Sequence, residues 1–467
     1  MINSIKSILP DRWIRFFVIV LITICFTYIL PGEFNVIWSV ILLVLYYHSM
    51  DEAFWLVFFL ITTDGFIGFF GLSSMMIQLI PGMPAIELVQ LYIFLSVIKA
   101  IRSRNLSYVF YQKYLVVLFL YLIFMIAWGQ LMGMSGELNV YFRLLKLTLP
   151  LLLFYSIPRL FPNIAAYKRL FLFVFIIMVL AFFTQVFTLL TGLSPAGFVY
   201  LTEEQLSEAG IFRGFSNVGA TVLSLFGALV FLSYKEPVFN RFYLNTIIAC
   251  AFGNAFLSAS RGWIVFFSIV FLLSILFVYK FNPRQLVGIV IVFVAFFILG
   301  MDNPILKKQS DFAISRLTTL EALSRGDITA GGTLVRLSER SPRVMKKWKE
   351  NPVFGWGFSD VSGEYGDGHV GNQTVLLSSG VVGFSLLIGF LLYFILRLFA
   401  RFQRLSKTIL NSKVYLIFIF MLLGWFFLHS SAGQQFGFGG MPMQIIPQAI
   451  FFSFGALLYA KPSELSK

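Results

Sequence analysis

Residues 331–383 read GGTLVRLSERSPRVMKKWKENPVFGWGFSDVSGEYGDGHVGNQTVLLSSGVVG, and the change of character inside this stretch decides how the chain is read. It begins polar and arginine-rich, and passes through Asn351-Pro352-Val353-Phe354-Gly355-Trp356-Gly357-Phe358. It then reaches Gly366-Asp367-Gly368-His369, and from Val370 it becomes an apolar run long enough to cross a hydrocarbon core as a helix of about 20 residues. Runs of the same kind recur along the rest of the chain. A sequence of 467 residues that is 59% hydrophobic and 12% charged lies far from soluble composition. The runs are continuous rather than alternating, which excludes a β-barrel. The expected fold is therefore all-α: a polytopic transmembrane helical bundle of about 12–14 spans with one long external loop containing short helices.

The spans are expected near 13–31, 34–47, 53–72, 85–101, 113–132, 143–157, 168–191, 214–234, 242–259, 262–280, 285–301, 370–398, 413–430 and 442–460. The second and sixth are short enough to be re-entrant or tilted. The first follows Lys6, Arg12 and Arg15 like a signal sequence, but lacks a small-residue cleavage site after it and is expected to remain a helix. This divides the chain into N-terminal transmembrane helices (1–301), a long external loop (302–370) and C-terminal transmembrane helices (371–467).

Charge assigns the two faces. Lys99, Arg102, Arg104 and Lys113 fall together between two spans, as do Arg397, Arg401, Arg404, Lys407 and Lys413. With the other loops of that side, 21 of the 35 basic residues lie on one face, which the positive-inside rule makes cytoplasmic. The formal charge of +14 thus reports orientation and not a nucleic-acid partner. The 302–370 loop, with 10 basic and 9 acidic residues, falls on the external face. Its charges are segregated: six bases and one acid from Arg336 to Lys349, then four acids and no base from Glu350 to Asp367.

Several chemistries are excluded. No Gly-x-x-x-x-Gly-Lys-Ser/Thr phosphate loop occurs, which argues against ATP-driven transport, and no Cys/His spacing suits zinc. Cys25 and Cys250 lie in apolar runs and read as buried free cysteines. Neither a cofactor nor a metal is expected.

Four bases break the charge rule: Arg143, Lys146, Arg213 and Arg261 each sit at or near the external end of a span. Ionisable groups at such depth are costly and mark function by default. The plainer reading of each is snorkelling to headgroups, or an ion pair with a neighbour such as Glu137. In the loop, Ser341-Pro342 reads as a helix start with a capping serine, and the helix should stop before Asn351-Pro352. Arg343 and Lys347 would share one face of it, and Arg336 and Arg340 have the same spacing just upstream. Such a basic face is usually only solvated, but guanidinium groups also match phosphate oxygens bidentately. His369, among glycines that admit a close ligand, suits a general base at neutral pH. His48 and His429 lie at helix ends. Asp64, the one carboxylate well inside an apolar run, reads either as a proton-coupling site or as a group hydrogen-bonded at a broken helix.

The order of these features resembles the O-antigen ligase and polymerase superfamily of bacterial membrane glycosyltransferases. The residues that carry it are Ile211-Phe212-Arg213-Gly214-Phe215-Ser216-Asn217, Ser258-Ala259-Ser260-Arg261-Gly262, and Arg336 ahead of Trp348 and Asn351 to Gly357. His369 then precedes Gly380-Val381-Val382-Gly383. The match covers roughly the second half of the chain. The family often pairs its histidine directly with asparagine, whereas here Val370 and Gly371 separate His369 from Asn372. The resemblance implies transfer of a glycan from undecaprenyl pyrophosphate to an acceptor hydroxyl, a glycan or lipid A-core, at the external face of the bacterial cytoplasmic membrane. The donor is already activated, so no nucleotide is required. It further implies His369 as base, with Arg261 and Arg336 as catalytic charges. Arg213, Arg340, Arg143 and Lys146 would bind pyrophosphate.

Two other classes fit part of the sequence. A transporter or flippase for an anionic glycan or lipid would place polar groups near the midplane, yet only Asp64 lies clearly deep. A membrane scaffold with a partner-binding loop leaves the ordered motif without a purpose. Asp64→Asn is the damaging change on the transporter reading, and His369→Ala on the enzyme reading.

Overall fold

The computed structural model describes residues 11–30, 32–65, 75–77, 84–103, 105, 108–191, 217–234, 239–279, 304–318, 335–406, 410–431 and 433–465. In chain order the helices are α1 (Asp11–Ile24, running on as a π-turn to Ile29), α2 (Gly32–His48), α3 (Glu52–Asp64), α4 (Leu88–Arg102), α5 (Gln112–Leu131) and α6 (Leu138–Leu160). They continue with α7 (Ile164–Thr191), α8 (Val218–Leu232), α9 (Arg241–Leu257), α10 (Arg261–Phe277) and α11 (Pro304–Thr318). The last are α12 (Ser341–Trp348), α13 (Asp360–Tyr365), α14 (Gly371–Leu405), α15 (Val414–Ser431) and α16 (Pro442–Ala460). Two-residue strands, Met76–Ile77 and Ile86–Glu87, pair just ahead of α4.

Among the described residues six helices are long and apolar enough to cross a membrane: α5, α6, α7, α14, α15 and α16. The chain is an all-α polytopic bundle. The short sixth span of the sequence reading is a 23-residue helix, bent where Pro150 opens a 3-10 turn at Leu149–Leu152. The expected span 285–301 lies outside the described residues, as do parts of 53–72 and 214–234.

Lipid tails are as apolar as leucine, so these helices associate by close packing rather than by hydrophobic exclusion. Small residues make it possible. Gly227 faces the ring of Phe171, Gly424 faces Phe266, and Gly455 faces Phe394 and Phe418. Phe226 sits edge-on to Phe418 and to Phe451, and Phe171 edge-on to Phe231, the arrangement ring quadrupoles favour.

The two faces assigned by charge come together as groups. At the basic end, Lys99 pairs with Glu52 and donates to the carbonyls of Tyr46 and Ser49, Arg169 pairs with Asp51, and Asn105 donates to the carbonyl of Arg159. At the other end, Lys146 pairs with Glu87, the Ser135 amide donates to Asp360, and Gly440 and Gln434 donate to the carbonyls of Leu147 and Gly368.

Three local expectations are corrected. Ser341 caps nothing: a π-turn over Arg336–Arg340 runs straight into α12, and Arg340 ahead of Ser341 is already helical. Pro342, which has no N–H, stands at the junction where the π-turn passes into α12. Cys25 is exposed on the outside of the bundle rather than buried, whereas Cys250 is buried, and both thiols are free. The ion-pair partner of Lys146 is Glu87 at 3.3 Å, not Glu137, because the turn before α4 lies beside α6.

The feature that organises the end opposite the basic loops is a break in α14. Gly380 has φ 62° and ψ −174°, a region open essentially to glycine alone. At the break, two carbonyls and two N–H groups of α14 bond to the 352–357 loop. Trp356 and Gly357 donate to the carbonyls of Leu377 and Ser378, each at 2.8 Å. Val381 and Val382 donate to those of Pro352 (2.9 Å) and Val353 (3.2 Å). Gly380 thus lies against the Val353 carbonyl, with no room for a side chain. Gly380→Ala is expected to cost at least about 1–3 kcal/mol through strain and collision, read as a lower unfolding temperature in detergent. Gly363→Ala, whose added carbon meets nothing within 4 Å, serves as the control and should change little.

Candidate active site at the head of the broken helix

The interlock sets where the polar residues of the loop sit. Trp128 on α5 donates its indole N–H to the Gly355 carbonyl at 2.9 Å, and Tyr121 donates its hydroxyl to the Ser379 carbonyl at 2.6 Å. The loop is therefore held by α5 as well as by α14. On its far side α12 packs onto the head of α14 through buried Val344, Val370 and Leu377, ringed by Trp348, Trp356 and Tyr365. The Trp356 indole donates to the Lys347 carbonyl at 3.2 Å, and the Lys347 ammonium stands 4.7 Å from the Trp356 ring centre. Glu350, hydrogen-bonded to Lys347 at 2.6 Å, raises that ammonium above its ordinary pKa. This mini-core orients the opposite, basic edge of α12.

That edge meets Asp367. The Asp367 carboxylate, only 13% exposed, lies 3.6 Å from Arg340 and 4.0 Å from Arg343, and it accepts the His369 backbone N–H at 2.8 Å. The last bond is an Asx-turn, the local use of aspartate that Gly-Asp-Gly-His invites. Thr374, one turn into α14, accepts the Asp367 N–H at 3.0 Å and donates to the Asp367 carbonyl at 2.7 Å. One carboxylate thus holds two guanidinium groups beside His369. The His369 side chain is exposed and makes no hydrogen bond among the described residues. Arg340 and Arg343 are 41% and 53% exposed, so their charge remains available to an anionic ligand.

Of the residues singled out in the sequence, the structure joins Arg340, Arg343 and His369. The backbone of Arg336 lies one turn before Arg340 in the same π-turn, while its side chain is outside the described residues. Arg213 also lies outside them. Lys146 and Arg143 belong to α6. Lys146 is engaged by Glu87, Arg143 is exposed, and the 433–440 segment bridges from Gly368 to Leu147 between the two groups. Arg261 is buried, 7% exposed, as the first residue of α10, after Ala259 at φ 50°. Asn372 donates to Ser430 on α15 at 2.9 Å and serves as a bundle contact. His429 is buried and structural, its Nδ1 accepting the N–H groups of Gln435 and Phe436. The Asp64 carboxyl accepts the Gly219 N–H at 2.5 Å in the first turn of α8, the hydrogen-bonded arrangement that one of its two sequence readings expects.

Sequence reasoning missed Asp367 as the centre of the cluster. The signal was present in the Asx-turn pattern, but the arginines it meets lie more than twenty residues earlier. Asp360 is engaged elsewhere, by the Ser135 amide, and among the described residues no three His, Cys, Asp or Glu side chains gather as a metal would require. No protein-family model matches the sequence, and no curated protein matches it.

The geometry predicts that Asp367→Ala speeds hydrogen exchange of the His369 amide about tenfold, the loss of one charge-assisted hydrogen bond. Asp367→Asn keeps an acceptor for that amide and should change it less. Both are checked by exchange mass spectrometry on peptides covering 366–371.

Proposed function

We propose that this protein is a membrane glycosyltransferase of the O-antigen ligase or polymerase kind, acting at the external face of a bacterial cytoplasmic membrane. It would move a glycan from undecaprenyl pyrophosphate to an acceptor hydroxyl. The observation that carries the reading is the Asp367-centred cluster, with exposed His369 beside Arg340 and Arg343 at the membrane entry of α14. In the reaction the acceptor oxygen attacks the anomeric carbon, the bond from that carbon to the pyrophosphate breaks, and the acceptor proton passes to a base. His369 is the group suited to take it. Negative charge develops on the departing pyrophosphate, where Arg340 and Arg343 stand on a fixed helix edge, with Arg336 from the same turn and Arg213 and Arg261 as further candidates. Preorganised charge of this kind is worth about 3 kcal/mol per donor. Arg143 and Lys146 belong to a separate part of the same face and suit the acceptor side or a lipid headgroup. The alternative, a transporter for an anionic glycan or lipid, would rest on Asp64, whose carboxyl accepts the Gly219 N–H at the start of α8.

The test is the profile of surface and carrier-linked glycans from a deletion strain complemented with wild type or His369→Ala. Loss of transfer at unchanged protein abundance is expected for His369→Ala, and normal transfer would remove His369 from catalysis. Arg340→Ala should slow transfer by about a hundredfold. Core bearing a single repeat marks a polymerase, and bare core with long chains stranded on the carrier marks a ligase. An unchanged profile on deletion would count against both for that glycan.

A further inference from the structure

A groove of about 500 Å³ runs between α4, α5, α6, α14 and α16. Its walls are apolar, including Leu115, Phe119, Leu152, Phe390 and Phe452. It reaches the outer surface of the bundle at Val116 and Phe119, which are 53% and 50% exposed. Within a bilayer that surface faces hydrocarbon, so a lipid chain enters it with no loss of hydration. On α5 the lining runs from Gln112 to Leu122. Those ten helical steps span about 15 Å, which is one leaflet of a hydrocarbon core about 30 Å thick.

The two ends differ. At the end near the break in α14 the lining is uncharged, with Thr148, Gln448 and Phe438, and the Phe438 ring packs 5.2 Å from that of Tyr121. At the basic face stands Arg159, the one charged residue that lines the groove among the described residues. Its guanidinium lies 3.7 Å from the Tyr155 ring centre, and one N–H donates to the Tyr155 carbonyl at 2.9 Å. Among the described residues no carboxylate pairs with it. A stacked, tethered guanidinium with free N–H edges is a preorganised phosphate site.

We propose that this groove binds one anionic glycerophospholipid of the leaflet on the basic face, with an acyl chain along α5 and its phosphate on Arg159. The position of the charge selects the occupant. A lipid headed at the external face would leave Arg159 unmatched and put its phosphate among uncharged groups. Anionic headgroups are enriched in the cytoplasmic leaflet, the side that loop charge assigns to Arg159. The inference does not depend on the transfer chemistry.

The test is native mass spectrometry of the full chain released from detergent, with phosphatidylglycerol or phosphatidylcholine of identical chains. Wild type should retain one phosphatidylglycerol with about tenfold preference, because the choline ammonium of phosphatidylcholine offsets the phosphate charge that phosphatidylglycerol presents uncompensated to Arg159. Val116→Trp, at a half-exposed position that tolerates a larger ring, should fill the mouth and lower retention of both lipids several-fold. Arg159→Gln should abolish the preference, lowering retention of phosphatidylglycerol more than that of phosphatidylcholine. Equal retention of the two lipids by wild type, or retention and preference untouched in both variants, would overturn the proposal. So would displacement of bound phosphatidylglycerol by equimolar polyprenyl phosphate, which would make a carrier chain the occupant.

Discussion

An unpaired backbone group in the hydrocarbon region costs several kcal/mol, and no water is present to relieve it. That constraint governs the half of this molecule opposite the basic loops. Gly380 breaks a 35-residue helix, and groups freed there are satisfied by the 352–357 loop, which presents its own backbone in complementary register, and by the Tyr121 hydroxyl. Two further glycines, Gly355 and Gly357, hold positive φ so that the loop lies flat against both α14 and α5. Asn-Pro-Val-Phe-Gly-Trp-Gly is thus a backbone clamp. Its side chains serve the clamp too: the Trp356 indole ties the loop back to α12 through the Lys347 carbonyl.

The candidate site inherits its geometry from that clamp. With the head of α14 held, Val370 and Leu377 offer a fixed floor to Val344, and α12 has one way to lie. Its basic edge then falls on Asp367, which the first turn of α14 holds through Thr374. The ion pairs themselves are too exposed to stabilise the fold by much. Their value lies in direction: they keep two cations beside His369 without neutralising the face they offer to a ligand. The same separation of tasks holds at the other end of the bundle. There Lys99, Glu52, Arg169 and Asp51 tie loops together, whereas Arg159 lacks a carboxylate partner among the described residues.

Much of this was legible in the residues. Apolar runs with sharp polar borders located the helices, because a chain in lipid must satisfy its own backbone within each span. The bend in α6 blurred one border, since Pro150 interrupts the pattern without ending the crossing. Ser341 misled for a related reason. Serine before proline reads as a cap only when the chain ahead of it is not helical, and the π-turn from Arg336 makes that chain helical. The basic residues of 336–349 were visible as a group, but their anchor was not: the Asx-turn at Asp367 is a local signal, while its meeting with Arg340 and Arg343 is not. Asp64 lies in an apolar run and its partner is the start of a helix about 150 residues later.

What the sequence determined by itself was therefore the class and the sidedness: an all-α membrane bundle, its basic loops on one face and a polar, glycine-rich segment on the other. Both follow from composition and local charge, which act over a few residues and do not depend on distant contacts. Tertiary structure alone decided that the motif after α12 repairs a broken helix, that Asp367 gathers Arg340, Arg343 and His369, and that Arg159 closes one end of an apolar groove. Each of these joins groups far apart in the chain. Short-range pattern carries no record of such meetings, because they are fixed by how helices pack and by which backbone groups that packing leaves unpaired.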